Sequence, residues 1–325
     1  MKTEQMSANP HVLSIKPYQA GRSSEEICQA YGVDHVTKLC SNESPFQPSD
    51  QVRSAVYKAS QSLGRYPYDP APKLKQSLAN KEQVDPQQIT LGAGSSEILD
   101  MLVRTFCQAK DSILVSEHSF ALYRILARAQ NAMVVEVKDQ DFHQDLDATL
   151  GSISHHTKII FVTNPNNPTG TWISKESLLT FIKKVPKHII IVMDEAYHEL
   201  MSEDRYQTCV PWVKEHPNLV VARTFSKAYG LAGMRIGYAI TSMEVADVLN
   251  RIRKPFNVSS MAIEAAYATI QDHSYMAKVL QNNQAEMKKM AAAFDRLALS
   301  YVDTTANFIT VELGEKAQSI NEQLL

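Results

Sequence analysis

Apolar residues recur along this chain in two rhythms. Short β-branched and aliphatic runs at Gln88 to Leu91, Ile113 to Val115, Met133 to Val137, Ile159 to Val162, Ile189 to Met193, Leu219 to Ala222 and Tyr238 to Ile240 predict strands. Most of these runs are followed by helical or turn-rich segments. Asp50 to Leu63 puts Val52, Ala55, Val56 and Ala59 at helical spacing, with Gly64 as the stop. After Gly92-Ala93-Gly94-Ser95-Ser96-Glu97, the residues Ile98, Leu99, Leu102, Val103 and Phe106 share one helical face, and Ser174 is placed to cap a helix reaching Val185. Apolar strands alternating with helices predict an α/β fold: a mostly parallel, doubly wound sheet with helices on both faces.

The two ends of the chain break this alternation. Residues 1 to 45 lack a sustained period and read as an N-terminal arm with a short strand. Pro255 marks a second change, beyond which come helical patterns from Ser260 to Leu299, an alternating strand Asn307 to Leu313 and a helical start at Glu315. The expected organisation is therefore an arm (1–45), a large domain (46–255) and a smaller α+β C-terminal domain (256–325). Because the last helical pattern stops abruptly at Leu325, that C-terminal domain is expected to be incomplete.

Composition narrows the partners. With 325 residues, 44% of them hydrophobic, there is material for one large core and a second lobe. The 33 basic and 35 acidic residues give a net charge of −2 without a basic block, which points away from nucleic acid or an anionic membrane and towards small molecules. Cys28, Cys40, Cys107 and Cys209 form no C-x-x-C pair, so neither a zinc site nor a disulfide framework is expected. The polar N-terminus lacks the apolar core of a signal peptide, and no apolar run is long enough to span a bilayer; a cytoplasmic protein with reduced thiols is expected.

In open α/β sheets ligands bind beyond the carboxyl ends of the strands, and four such places carry candidate chemistry. At Gly92-x-Gly94-Ser95-Ser96-Glu97 two glycines allow close backbone approach and a helix start offers free N–H groups, which suits a phosphate; an uncommitted strand-to-helix turn is the alternative. Glu97 stands where a dinucleotide fingerprint needs its third glycine, which argues against that fingerprint. Asn164-Pro165-Asn166-Asn167-Pro168-Thr169-Gly170 holds asparagine amides on a rigid backbone, suited to a polar ligand oxygen or simply to a turn. Asp194-Glu195-Ala196-Tyr197 ends a buried strand in a carboxylate, which calls for a cation or several donors. Asp194, Glu195 and His198 are close enough in sequence to raise a metal site, but no further ligand cluster accompanies them and none is expected; His155, His156 and His188 read as loop or flanking positions.

The fourth place, Thr224-Phe225-Ser226-Lys227-Ala228-Tyr229-Gly230 through Arg235 and Gly237, sets a lysine among small residues with an arginine eight positions on. A partly desolvated lysine near another cation becomes a usable amine nucleophile for Schiff-base chemistry, while Ser226 and Arg235 suit a phosphate monoester. The plain alternative is a solvated loop lysine beside a structural arginine. Together, a nucleophilic lysine, a buried carboxylate, phosphate donors on two loops, an amide and a phenol describe a site for pyridoxal phosphate, whose ring nitrogen a carboxylate keeps protonated.

Over almost its whole length the sequence resembles the fold-type I, class-II pyridoxal-phosphate aminotransferases, and within them the histidinol-phosphate aminotransferase family. The motifs that carry the resemblance are Pro17-Tyr18-Gln19, Lys38-Leu39-Cys40-Ser41-Asn42-Glu43, Arg65-Tyr66-Pro67, the Gly94 loop, Asn164 to Gly170, Asp194 to Tyr197, Ser226-Lys227 and Arg235. The resemblance implies that Lys227 attaches the cofactor covalently and then moves the proton between the substrate's Cα and the cofactor. It implies that Asp194 pairs with the ring nitrogen, and that Tyr197 and Asn167 hydrogen-bond the cofactor's phenolic oxygen. Ser95, Ser96, Thr224, Ser226 and Arg235 are implied to hold the phosphate, Phe120 to stack on the ring, and Tyr66 to reach the neighbouring subunit's phosphate across a homodimer. Tyr18 and Asn42 are implied to line the substrate pocket.

The implied activity is transfer of an amino group from L-histidinol phosphate to a 2-oxo acid, 2-oxoglutarate, in histidine biosynthesis. Aromatic amino acid aminotransferases and threonine-phosphate decarboxylases are the related alternatives, and an inactive cofactor-binding protein is a third. The family's substrate-carboxylate arginine follows the point where this sequence stops, and no arginine lies beyond Arg296, so cofactor binding is expected to be better preserved than turnover.

Overall fold

The computed structural model describes residues 8–18, 21–201 and 208–324. Two helices precede the alternating region, α1 (Pro10–Leu13) and α2 (Ser24–Tyr31). They are followed by α3 (Asp50–Ser60) and α4 (Pro72–Glu82), and then by β1 (Ile89–Gly92), α5 (Ser95–Phe106), β2 (Ser112–Ser116), α6 (Leu122–Ala129), β3 (Met133–Val137), α7 (Leu146–Gly151) and β4 (Thr157–Thr163). Next come α8 (Lys175–Lys184), β5 (Ile190–Asp194), β6 (Leu219–Thr224), β7 (Gly237–Ile240), α9 (Met243–Ile252), α10 (Ser260–Ile270), α11 (His273–Arg296) and α12 (Ala317–Leu324).

The seven strands form one sheet in the order β1-β7-β6-β5-β4-β2-β3. Neighbours from β6 through β3 run parallel, and β7 alone runs against both β6 and β1. The expected mostly parallel sheet is present, and the apolar runs explain it: the central strands β4, β5 and β6 are almost wholly buried. Successive side chains point to opposite faces, so Ile160, Val162, Ile191, Met193 and Val221 enter one core, while Ile159, Phe161, Val192, Val220 and Ala222 enter the other. α5 closes the second core with Ile98, Leu99, Leu102 and Val103. α10 lays Ala262, Ala265 and Ala266 into the first core beside α3 and α4, where small side chains permit close helix packing.

Three expectations change. The arm carries no strand among its described residues; instead Ser23 and Glu26 form a reciprocal capping box that starts α2, and Gly32 ends it in the left-handed region. The helix from Asp50 stops at Ser60, where Ser62 N–H turns back to the Ala59 carbonyl, well before Gly64. The alternating stretch Asn307 to Leu313 makes only an isolated bridge, Tyr301 with Val311. Alternation describes which faces are apolar but cannot supply a partner strand, and here one bridge plus a few flanking hydrogen bonds is all the ladder that forms.

Candidate active site

The sheet delivers three side-chain groups to one end. Asp194 is the last residue of β5, Thr224 the last of β6, and Asn167 lies on the loop leaving β4. The loop between antiparallel β6 and β7 carries Ser226, Lys227 and Arg235 back over the same end, and α5 begins beside it. These groups line a cavity of about 390 Å³ together with Tyr18, Asn42, Ser95, Ser96, Phe120 and Tyr197.

Two glycines make the close approach possible. Gly237 pairs with Gly92 on β1 and with Thr224 on β6, and a Cβ there would collide with Ser95 N and lie 2.7 Å from the Arg223 carbonyl. Gly94 has φ +80°, and a Cβ on it would lie 2.6 Å from Arg235 Nη2. No side chain caps the start of α5, so its first N–H groups are left for a ligand. Arg235 is held by Nη1 donating to the Ala232 carbonyl at 3.0 Å and to Ser226 Oγ at 3.3 Å. Open helix-start amides, the Ser95, Ser96, Thr224 and Ser226 hydroxyls and one guanidinium make a donor set for a single phosphate.

The same cavity is lined by a carboxylate. Asp194 is 4% exposed; its Oδ2 accepts the Tyr123 hydroxyl at 2.7 Å and its Oδ1 the Ala196 N–H at 3.2 Å. Burial pushes its pKa up to about 6, against the pull of those hydrogen bonds and of Lys227. Lys227 is half-buried, and Nζ donates to the Ser41 carbonyl at 2.8 Å. Desolvation lowers its pKa to about 8, with the Arg235 charge acting in the same direction and Glu43 and Asp194 opposing. Tyr197 is buried, and its hydroxyl oxygen accepts both Asn42 Nδ2 and Asn167 Nδ2 at 3.0 Å. Both bonds donate to the oxygen, which leaves the phenolic proton free to point elsewhere; burial holds its pKa up at about 12.

The structure brings together every expected site residue except Tyr66. Tyr66 is 80% exposed and stacks on Phe256 at 4.6 Å, away from the cavity of its own chain. Of the three asparagines in the loop after β4, only Asn167 reaches the site. Asn164 bonds the Ile173 backbone and Asn166 the His118 carbonyl and Thr169, so these two shape the loop. Asp194, Glu195 and His198 do not converge on a metal position. Glu195 turns to the buried Arg223, accepting Nε at 2.7 Å and the Cys209 N–H at 2.8 Å, and no metal-binding cluster occurs among the described residues.

Sequence reasoning missed three participants: the Ser41 carbonyl, Thr163 and Tyr123. Tyr123 is fully buried beneath Asp194, with its hydroxyl 2.9 Å from Thr163 Oγ1. A tyrosine one helical turn after Phe120 looks like core from its spacing, and only its hydroxyl's need for a partner could have marked it.

Comparison with known proteins agrees with this geometry. Residues 34–325 match the family model for aminotransferase class I and II. The histidinol-phosphate aminotransferase 1 of Idiomarina loihiensis is 44% identical over 317 residues, 98% of this chain and 86% of that protein. The histidinol-phosphate aminotransferase 2 of Pasteurella multocida is 41% identical over 98% of this chain and 87% of its own length. The crystal structure of histidinol-phosphate aminotransferase from Sinorhizobium meliloti in complex with pyridoxal-5'-phosphate superposes with a TM-score of 0.89 at 27% identity, covering 98% of this chain and 86% of that one. A Thermus thermophilus aspartate aminotransferase mutant shares the fold, with a TM-score of 0.85 at 22% identity over 98% of this chain and 90% of that one. By sequence, by fold and by the groups gathered at the sheet's end, the chain belongs to the aminotransferase class I and II family.

Proposed function

We propose that this protein is a pyridoxal-phosphate-dependent aminotransferase that moves the amino group of L-histidinol phosphate to 2-oxoglutarate, yielding imidazole acetol phosphate and L-glutamate. One observation carries the reading. A depressed amine, a buried carboxylate and a phosphate cradle wall a single cavity of about 390 Å³, in a chain 44% identical to a histidinol-phosphate aminotransferase. The donor set fits the cofactor: Gly94 leaves the space beside Arg235 that a Cβ would fill, and the α5 start has no side-chain cap to displace.

When bound, the cofactor supplies an electron sink for the charge that develops at the substrate's α-carbon. The chain's own residues do the rest. The α5 amides, Ser95, Ser96, Thr224, Ser226 and Arg235 would hold the phosphate. Asp194 presents a carboxylate to the ring nitrogen from a dry site, where its charge acts with little screening. Tyr197, oriented by Asn42 and Asn167, offers its hydroxyl to the phenolic oxygen. Lys227 would attach the cofactor and, once freed by the incoming amine, would be the base for the Cα proton; an amine with pKa of about 8 is partly neutral at physiological pH, as both tasks require. Phe120, on the cavity wall, would pack against the ring, and the largely exposed Tyr18 would meet the substrate. The reading includes a cytoplasmic homodimer in which Tyr66 of each subunit serves the other's phosphate, and the organisation into arm, large domain and smaller C-terminal domain. Among the described residues no helix is long and apolar enough to cross a membrane.

The test is to load the purified protein with pyridoxal phosphate and add L-histidinol phosphate alone. Conversion of the visible band to that of the amine form, reversed by 2-oxoglutarate, is the expected result. Lys227→Ala should lose the borohydride-trappable adduct while keeping the fold. A band unmoved by histidinol phosphate but shifted by aromatic amino acids would overturn the substrate, and carbon dioxide release without a keto acid would overturn transamination itself.

A further inference from the structure

The mechanism above uses Asp194 but leaves unexplained how a carboxylate 4% exposed stays ionised at the end of an apolar strand. The groups facing it are few. Tyr123 approaches from α6, Thr163 from the end of β4 and Lys227 from the loop after β6, while Glu195 and Tyr197 follow it in the chain. Glu195 is committed to Arg223, and Lys227 Nζ to the Ser41 carbonyl. Tyr123 therefore provides the only side-chain hydrogen bond to the Asp194 carboxylate among the described residues.

The direction of that bond is fixed by chemistry. An ionised carboxylate only accepts, so Tyr123 must donate to Asp194 Oδ2 at 2.7 Å. With its proton committed, the phenol oxygen must accept from Thr163 Oγ1 at 2.9 Å. The result is a one-way chain, Thr163 to Tyr123 to Asp194, in which each bond polarises the next towards the negative charge. The ring is held rigidly, stacked on Phe161 at 4.3 Å and edge-on to Phe120 at 5.8 Å. Tyr123 thus touches both the carboxylate and the Phe120 ring, two groups that line the cavity.

We propose that Tyr123, backed by Thr163, is a positioning residue that aims the Asp194 carboxylate and holds it in its charged form, setting the lower pH limit of cofactor use. This rests on the functional reading above for its link to the cofactor, but not for its effect on Asp194. Burial, with a smaller push from the Glu195 charge, drives the carboxyl upward, and the Tyr123 hydrogen bond is the largest effect against it, ahead of the Ala196 N–H and Lys227. Removing the bond, worth about one pH unit for a charged acceptor, should let the carboxyl protonate at higher pH.

The experiment compares the full chain with Tyr123→Phe, which keeps the ring and its stacking, and with Thr163→Val. Unfolding free energy of the cofactor-free protein is measured from acid to mildly basic pH. Asp194's folded pKa lies above its unfolded value, so stability is lost as pH rises from the unfolded value towards the folded one and no further; raising the folded pKa by removing the Tyr123 bond extends that loss to higher pH. The stability difference between wild type and Tyr123→Phe should therefore open as pH rises through about 6 and then level, by the same linkage. It should vanish in an Asp194→Asn background, and Thr163→Val should show a smaller change of the same sign. In the loaded protein, the acid limb of pyridoxal phosphate affinity should move up by about one pH unit. A pH-independent offset, as loss of packing alone would give, overturns the inference, and if Tyr123→Phe fails to fold the Thr163→Val comparison decides. Failure to bind pyridoxal phosphate while the pH-dependent difference persists would instead refute the functional reading and leave this one standing.

Discussion

At the residue scale the site works by desolvation balanced against a few aimed hydrogen bonds. Lys227 and Asp194 are both pushed towards neutrality by burial, the amine down to about 8 and the carboxyl up to about 6, and each is drawn partly back by the other's charge. The amine has a testable consequence. Only neutral Lys227 attacks an aldehyde, so covalent capture of pyridoxal phosphate should quicken with pH and level off above about 8; a rise continuing towards 10.5 would show an ordinary solvated lysine. Stopped-flow absorbance on the cofactor-free protein measures this directly. The lysine was legible in the sequence because small neighbours and a following arginine mark an unusual setting. Tyr123 was not, since a buried phenol and a buried phenylalanine leave the same trace in a helical pattern. Residue type alone does not show which of three asparagines reaches a ligand: that depends on how the loop closes, and Asn166 closes it by bonding His118 and Thr169, leaving Asn167 to face the cavity.

At the element scale the decisive arrangement is the meeting of β7 with the start of α5. Gly237 lies between Gly92 and Thr224, with Ser95 N and Gly94 C close enough that a side chain has no room. Those neighbours are backbone atoms that cannot rotate away. Gly237→Ala should destabilise the fold by roughly 1–3 kcal/mol, and should weaken pyridoxal phosphate binding further by pushing the α5 amides away from Arg235. Urea unfolding and cofactor titration check the two parts; unchanged affinity would mean that the helix start is not part of the cradle. Beneath the same strands, Arg223 is fully buried among Glu195, Glu199 and Thr208, tying the ends of β5 and β6 together one residue from Asp194 and Thr224. Strand positions were largely legible, because runs buried on both faces are apolar throughout. The expected strand at Asn307 to Leu313 failed since its alternation found only one bridging partner at Tyr301.

At the scale of the whole molecule the loop before α4 presents its tyrosines to solvent. Tyr66 is 80% and Tyr68 77% exposed, while the cavity in one chain is lined by the other expected cofactor side chains, from Ser95 to Arg235. If Tyr66 completes a neighbour's site, Tyr66→Ala and Lys227→Ala chains, each inactive or nearly so alone, should recover activity when mixed and allowed to exchange subunits. At most about a quarter of the sites are then whole. No recovery, with exchange verified, would place Tyr66 outside the partner's site. By itself the sequence determined the alternation of strands and helices and the chemical kinds of residue at the strand ends, because periodicity and residue type are local properties. Only the tertiary structure decided that Gly237 lets a helix start reach Arg235, that Tyr123 lies under Asp194, and that Asn42 of the arm bonds Tyr197. Those contacts join residues far apart in the chain, and their distances exist only once the sheet has brought its carboxyl ends together.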